Sequence, residues 1–136
     1  MDLVKSLHIA ASGMKAQSDR LRIVSENIAN ADSVGKFAGD EPYRRKTISF
    51  KNELDREMGI EKVAVSDYGV DKSDFEKKYD PSHPAADNEG YVLQPNVNSM
   101  VEMMDMREAR RGYEANMNII EVSKSMLQQT IGMLSR

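Results

Sequence analysis

The chain of 136 residues contains no cysteine, which excludes disulfide bonds and thiolate metal ligands. Since a cysteine-free chain suits an oxidising or a reducing compartment equally, this absence does not indicate where the protein works. Histidine is also scarce: His8 has no second ligand four residues away, and His83 lies between two prolines. These spacings disfavour a metal site. The formal net charge of −3 gives no electrostatic case for binding nucleic acid, which favours a basic face.

Long apolar runs are absent as well. No stretch approaches the roughly 20 apolar residues of a membrane span. Near the start of the chain, charged residues such as Asp2 and Lys5 interrupt any run that a cleavable export signal would need. With 40% apolar and 30% charged residues, the composition is that of one folded domain. Composition alone indicates a cytoplasmic protein.

The N-terminal segment has a helical repeat of seven residues. Four large apolar residues form one row, namely Leu7, Met14, Leu21 and Ile28. A second row lies four residues earlier and consists of Leu3, Ala10 and Val24, with Gln17 interrupting it. Two such rows on one face predict a helix over about residues 2–31 that packs against another helix. Gly13 in its middle costs about 1 kcal/mol of helix propensity relative to alanine, which indicates a packing reason.

The C-terminal segment, residues 96–136, has the same seven-residue repeat of apolar residues. Its main row is Met106, Tyr113, Ile120, Leu127 and Leu134, and a second row three residues earlier holds Met103, Met117 and Ile131. Ser99 followed by Glu102 has the spacing of a capping box at the start of a helix. The sequence therefore predicts a second long helix that also carries an apolar stripe.

Between the helices the apolar pattern changes to every second residue. Ile48 and Phe50 alternate with polar residues, and residues 63–65 and 91–93 repeat that pattern between prolines and glycines. Residues 51–91 hold eleven acidic and six basic residues. The predicted fold is mainly α with a small β-containing insert. The predicted segments are an N-terminal helix (1–34), an irregular insert (35–95) and a C-terminal helix (96–136).

Residue types that carry chemistry are present without a recognisable active site. Asp80 and Asp87 lie in an acidic loop, and His83 is predicted to pack or hydrogen-bond in a turn. A small hydrolase that uses His83 and Asp87 stays an alternative, although no phosphate-binding glycine pattern or nucleophile motif accompanies them. The run Arg44–Lys46 is interpreted as a strand face or a set of ion-pair partners. No catalytic residue, cofactor or small-molecule substrate is predicted.

Seven of the ten methionines lie between Met100 and Met133. The favoured interpretation is core filling by an adaptable side chain. The alternative is a surface that packs against several similar but non-identical neighbours.

Several motifs together resemble the bacterial flagellar axial proteins, which include rod, hook and hook-associated subunits. The terminal motifs are AASGMKAQ (10–17), NIANADS (27–33) and YEANMN (113–118). The motifs most similar to the proximal-rod members are EPYRRKTISF (41–50), YDPSHPAADNEGYV (79–92) and PNVNSMVEMMDMREARRGYEANMN (95–118). The chain departs from the family at residues 34–36, where Val-Gly-Lys replaces the frequent Thr-Gly-Tyr, so contacts of that tyrosine do not carry over.

The resemblance implies a structural subunit that polymerises around a central axis and transmits motor torque to the hook and filament. The two terminal helices would pair as an antiparallel coiled-coil-like inner domain that neighbouring subunits complete. Implied partners are other proximal and distal rod subunits, further copies of the chain, the flagellar type III export apparatus and a rod-capping protein. The implied location is the basal body in the periplasm, reached without a cleaved signal peptide, which replaces the cytoplasmic inference.

The stretch SENIANADSVGK (25–36) combines a helix end with two amides, Asn27 and Asn30. An amide in an apolar seam can fix the register of packed helices, so both are predicted to hydrogen-bond across a packed neighbour. The complete set of predicted subunit-interface residues is Leu3, Leu7, Met14, Leu21, Val24, Asn27, Ile28, Asn30, Met103, Met106, Tyr113, Asn116, Met117, Ile120, Leu127, Ile131 and Leu134. The alternative function is a cytoplasmic helical adaptor or export chaperone, which would not co-purify with basal bodies.

Overall fold

The computed structural model describes residues 3–134. The predicted terminal segments extend to residues 1–2 and 135–136, which lie outside the described part. The elements in chain order are α1 (Leu3–Ala29), β1 (Lys46–Asp55), β2 (Ile60–Val70), β3 (Glu76–Tyr79), β4 (Tyr91–Gln94) and α2 (Ser99–Leu134). The prediction of two long helices around a small β-containing insert is confirmed. Within residues 3–134, neither helix is both long and apolar enough to cross a membrane.

The insert forms two separate two-stranded sheets, β1 with β2 and β3 with β4. In the second sheet the strands are antiparallel, and Glu76 lies opposite Gln94 while Tyr79 lies opposite Tyr91. All three predicted alternating runs fall within strands. The sequence Glu-Lys-Lys-Tyr of β3 carried no such signal, because every residue of that strand is exposed and its polar side chains do not alternate.

The described chain forms two compact units. The first contains residues 3–21, 49–67 and 107–134. In this unit Gly13 of α1 lies against the amide of Asn116 on α2, and Gly112 of α2 lies against the side chain of Gln17 on α1. Since the α2 number falls as the α1 number rises, the helices run antiparallel here. Small residues occupy the seam, with Ala10, Ala16 and Ala109 fully buried.

The packing reason predicted for Gly13 is therefore confirmed. A β-carbon at residue 13 would lie 2.9 Å from Asn116 Nδ2. Such a distance is shorter than carbon–nitrogen packing allows, so a side chain at residue 13 would force the Asn116 amide to move.

The second unit contains residues 22–48 and 68–106. Apart from Pro42, Gly90 and Pro95, its buried residues come from the end of α1, strand β4 and the first turn of α2. They are Ile23, Val24, Asn27, Val92 and Glu102. Two of these five are polar, so hydrogen bonds rather than apolar contacts alone must stabilise this core.

The start of α2 differs from the prediction. The residue that caps the helix is Asn98, whose Oδ1 accepts hydrogen bonds from the backbone N–H groups of Met100 and Val101. The Glu102 carboxylate bonds to Asn27 and Arg45 instead of to the cap. The predicted Ser99–Glu102 capping box is thus wrong, because the half-buried Arg45 and the buried Asn27 amide bind the carboxylate instead.

The favoured interpretation of the methionines as core filling is also wrong within the chain. Six of the seven methionines between residues 100 and 133 are exposed, and only Met106 is half-buried. The physical reason is that small and polar residues such as Ala109 and Glu102 already occupy the inner face of α2. The long side chains consequently point away from the seam.

Candidate functional site

A buried polar network centres on Asn27, near the end of α1. Its Nδ2 donates to the Lys46 carbonyl (2.9 Å) and to Glu102 Oε2 (3.0 Å). Its Oδ1 accepts from the Tyr43 hydroxyl (2.9 Å) and from the Lys46 backbone N–H (2.9 Å). An amide can donate two hydrogen bonds and accept about two, so this group is fully satisfied within the chain.

The acidic member of the network is Glu102, whose side chain is entirely buried. Arg45 Nε donates to its Oε1 at 2.6 Å, and the same guanidinium lies 3.8 Å from the carboxylates of Asp71 and Asp105. A buried carboxylate is costly unless it is both paired and hydrogen-bonded. Arg45 and Asn27 together meet both conditions, so the network joins the end of α1, the start of β1 and the first turn of α2.

Asn30 has a local role in the same stretch. Its Nδ2 donates to the Glu26 carbonyl of its own helix (2.9 Å), and its Oδ1 accepts from the Ser33 hydroxyl (3.0 Å). These bonds satisfy polar groups at the point where α1 ends. The stretch SENIANADSVGK therefore contains one amide that builds the core and another that finishes the helix. Both amides are hydrogen-bonded within the chain, and their interface role stays a prediction.

An exposed charge cluster adjoins the network. Glu26 accepts from Lys46 Nζ (2.7 Å) and from Arg22 Nη1 (3.3 Å). The hydrogen bond from Lys46 lowers the pKa of Glu26, and the same bond raises the pKa of Lys46. Burial raises the pKa of the Tyr43 hydroxyl, which keeps it protonated as a donor to Asn27.

The basic run at residues 44–46 makes ion pairs, as the sequence indicated. Arg45 and Lys46 contact Glu102 and Glu26, and Arg44 lies 3.9 Å from Glu41. The Arg44 guanidinium also lies 4.2 Å from the centre of the Phe75 ring. These cations are therefore engaged within the chain rather than arrayed for a phosphate backbone.

The residues of the hydrolase alternative build turns. His83 Nδ1 accepts from the Ala85 N–H (3.1 Å). Asp87 Oδ1 accepts from the N–H groups of Glu89 and Tyr91 (both 2.9 Å), and the Tyr91 bond is the main cause that lowers its pKa. Among residues 3–134, no group of three or more histidine, aspartate or glutamate side chains is placed to hold a metal ion.

Large apolar side chains instead cover the outside of α2. Within residues 107–134 the exposed ones are Met117, Ile119, Val122, Met126, Ile131, Met133 and Leu134. Val4 and Ile9 are exposed on α1. Ile119, Val122, Met126 and Met133 are spaced by three, four and seven residues, so they lie on one face of the helix, and an exposed apolar patch of this kind marks an interaction surface. We call these four residues the α2 apolar face.

The predicted interface residues fall into three groups according to how exposed their side chains are. Val24 and Asn27 are buried; Met103, Met117, Ile131 and Leu134 are exposed. The half-buried remainder is Leu3, Leu7, Met14, Leu21, Ile28, Asn30, Met106, Tyr113, Asn116, Ile120 and Leu127. Sequence reasoning missed Ile119, Val122 and Met126 because they lie outside the two seven-residue rows. The signal that could have found them is their own spacing of three and four residues.

Two family models match the chain. The model described as "Flagella basal body rod protein" matches residues 7–35, and that described as "Flagellar basal body rod FlgEFG protein C-terminal" matches residues 88–133. These ranges contain most of α1 and α2. The two helices are thus the parts that the chain shares with rod proteins in general.

Relatives named "Flagellar basal-body rod protein FlgC" match nearly the whole chain. The protein of Agrobacterium fabrum is 54% identical over 93% of this chain and 91% of its own length. The protein of Borreliella burgdorferi is 38% identical over 98% of this chain and 99% of its own length. That of Bacillus subtilis is 38% identical over 96% of this chain and 97% of its own length. Identity at this level over such coverage includes the insert as well as the helices. The chain belongs to the FlgC family of structural flagellar basal-body rod proteins.

Proposed function

We propose that this rod subunit polymerises through its two helices into a helical shaft that carries motor torque to the hook and filament. The observation that carries the proposal is the α2 apolar face, which residues 3–134 leave exposed. The inner domain of the shaft would contain segments 1–34 and 96–136, and segment 35–95 would lie outside it. The half-buried predicted residues, such as Leu21 and Ile120, would border that inner contact.

Burial of the α2 apolar face would contribute part of the free energy that association requires. Burying a large aliphatic or methionine side chain completely contributes about 1.5 to 3 kcal/mol. Since these side chains are already partly covered, each contributes about 1 kcal/mol, or about 4 kcal/mol over the four residues of the face. Association costs about 4 to 15 kcal/mol in lost freedom, so several such faces must act together. A lattice in which each subunit meets several neighbours meets that condition.

Partners of this kind need not be identical. Methionine adapts its shape to different surfaces, and four of the exposed methionines lie in Met100–Met117. The proposed partners are further copies of the chain and the neighbouring proximal and distal rod subunits, with a rod-capping protein and the type III export apparatus acting during assembly. A heterologous contact that does not close produces an open helical assembly.

The proposed location within the basal body is the periplasm, reached through the flagellar export apparatus without removal of a signal peptide. Mass spectrometry of the subunit from purified basal bodies should recover a peptide that contains Lys5 and Leu7. Loss of this segment from the assembled protein would contradict the uncleaved route.

The decisive test is a single charge on the α2 apolar face. Val122→Asp changes a side chain that is 54% exposed, so the fold of the free subunit should stay intact. In a deletion strain the variant should accumulate normally but fail to co-purify with basal bodies, and the cells should not swim. The matched control is Gln128→Asp, a polar exposed position of the same helix, which should restore swimming.

Normal swimming with Val122→Asp would contradict the proposal. The adaptor or chaperone alternative gives a different result. In that case the wild-type chain itself would be absent from detergent-extracted basal bodies and would stay in the cytoplasmic fraction.

A further inference from the structure

Three exposed methionines lie close together in the first two turns of α2, within the second unit. Met100, Met103 and Met104 are 74%, 49% and 69% exposed. They belong to the sequence Met-Val-Glu-Met-Met, residues 100–104. Since the α2 apolar face begins at Ile119, these methionines form a separate surface. We call them the methionine triad.

Helix geometry brings the three side chains of the triad together. Residues three and four positions apart are neighbours on a helix, with β-carbons about 5 to 6 Å apart. Each residue is rotated by about 100° from the last, so Met100 lies between Met103 and Met104 when the helix is viewed along its axis. Helical side chains lean toward the N-terminus, so Met103 and Met104 lean over the turn that carries Met100. Because a methionine side chain has three rotatable bonds, the three sulfur atoms can converge without any movement of the backbone.

The backbone beneath the triad is held in place. Asn98 Oδ1 accepts from the Met100 N–H (3.0 Å) at the start of the helix. Glu102 is entirely buried and bonds to Asn27 and Arg45, which anchors the same turn from its inner side. Its carboxylate is therefore engaged on the opposite side of the helix from the methionines. A preorganised site of this kind loses little conformational freedom when it binds.

The three thioethers are soft, uncharged ligands, unlike the histidine and carboxylate groups considered above. Thioether sulfur selects soft cations such as Cu(I), whereas Mg²⁺ and Ca²⁺ require oxygen ligands. The chain has no cysteine, so no thiolate of its own competes with the triad for a soft cation. The ligand set therefore suits a monovalent soft ion.

We propose that the methionine triad binds one Cu(I) ion, or another soft monovalent cation, through its three sulfur atoms. The bound ion places a positive charge on a surface that is otherwise apolar. The site goes beyond the proposed rod function and does not depend on it, because it is complete within one copy of the chain.

The first test uses the purified chain with its methionine methyl groups labelled with ¹³C. Ag(I) is the probe, because it is a soft monovalent ion that air does not oxidise. Its addition should move the methyl NMR signals of Met100, Met103 and Met104 and leave those of the other methionines in place. The change should be complete at one ion per chain.

Matched variants test whether the arrangement matters, rather than the number of methionines. Changing Met100, Met103 and Met104 together to leucine keeps size and helix propensity. It should lower the Cu(I) association constant at least tenfold, measured without oxygen against a Cu(I)-binding dye. The control changes Met117, Met126 and Met133 to leucine; they are also exposed, but their spacings of nine and seven residues do not bring them to one ion. It should leave the constant within twofold.

Circular dichroism at 222 nm checks that both variants keep their helices. If the triad variant does not fold, Met100→Leu alone replaces it, and the same direction of change is required. X-ray absorption of the Cu(I)-loaded chain should show three sulfur ligands. Equal losses in both variants, methyl shifts outside the triad, a shell of nitrogen or oxygen, or no uptake of either ion would overturn the site. The rod function is unaffected by these outcomes, since incorporation into basal bodies tests it separately.

Discussion

The buried network supplies the sharpest prediction, which concerns Asn27→Ala. The amide is 1% exposed and makes four hydrogen bonds. Its removal leaves the N–H and carbonyl of Lys46 and one oxygen of Glu102 without their partner. Each buried polar group left unsatisfied costs about 1 to 3 kcal/mol. Water can reach the half-buried Tyr43 hydroxyl, so we expect a total loss of about 3 to 5 kcal/mol in the free energy of unfolding.

Asn27→Asp separates hydrogen bonding from volume, because the two side chains have nearly the same shape. The new carboxylate keeps both acceptor roles but places a negative charge about 3 Å from the Glu102 carboxylate. Like charges at that distance destabilise, so the variant should unfold at least as easily as Asn27→Ala at pH 7. Protonation removes this repulsion, and the stability difference from wild type should therefore narrow as the pH falls.

The assay is urea denaturation of the purified chain followed by circular dichroism at 222 nm. Asn30→Ala is the matched control, because its bonds are local to the helix end and part-buried. We expect that control to lose about 1 kcal/mol, the usual net contribution of an intramolecular hydrogen bond. An Asn27→Asp variant as stable as wild type at pH 7 would refute the assignment of Asn27 to a buried network with Glu102.

Two further effects can be measured on the same purified chain. Gly13→Ala gains about 1 kcal/mol in helix propensity but must displace Asn116, an overpacking cost of about 1 to 3 kcal/mol, so its urea midpoint should fall or stay level. Gly132→Ala meets no atom within 4 Å and should gain about 0.5 to 1 kcal/mol; a larger gain for Gly13→Ala would contradict the close helix contact. The lowered pKa of Asp87 means that its stabilising contribution is complete above its ordinary pKa of 3.8 and is lost as the pH falls through the lowered value. The stability difference between wild type and Asp87→Asn should accordingly be constant near neutral pH and shrink below about pH 3.8, and a difference that grows in acid would contradict the turn geometry.

Much of the fold was predictable because helix and strand periods are local properties of the sequence. The seven-residue rows predicted α1 and α2 to within about three residues at each end that the structure describes. The strand β3 was not predictable, since its four exposed residues owe their conformation to pairing with β4. The bounds of the three predicted segments stay a prediction.

The sequence predicted that α2 is a helix, but it did not predict which of its residues are buried. The rows were chosen for large apolar residues, yet the most buried α2 positions are Glu102, Ala109 and Ser123, which are also spaced by multiples of seven. The seven-residue period was correct, but the predicted rows are not the most buried positions of the helix. Periodicity identifies a repeating face but does not say whether large or small residues line it, because that depends on how closely the partner backbone approaches.

The small residues at the helix seam affect both the packing of the two helices and the apolar surface left for assembly. Alanines at the seam let the helices come together but remove little apolar area from water, and hydrophobic stabilisation scales with that area. The larger side chains that would bury more area, such as Ile119 and Met126, lie outside. Such a chain relies on the Asn27–Glu102 network for internal order, and under the proposed function its exposed apolar side chains would be buried against a neighbour. Binding that favours only the folded form adds to its stability, so the subunit should be markedly more stable in an assembly than alone. Slower amide hydrogen exchange along α2 in basal bodies than in the free chain would be the direct signature, and equal exchange in both would show that the outer side chains have no partner.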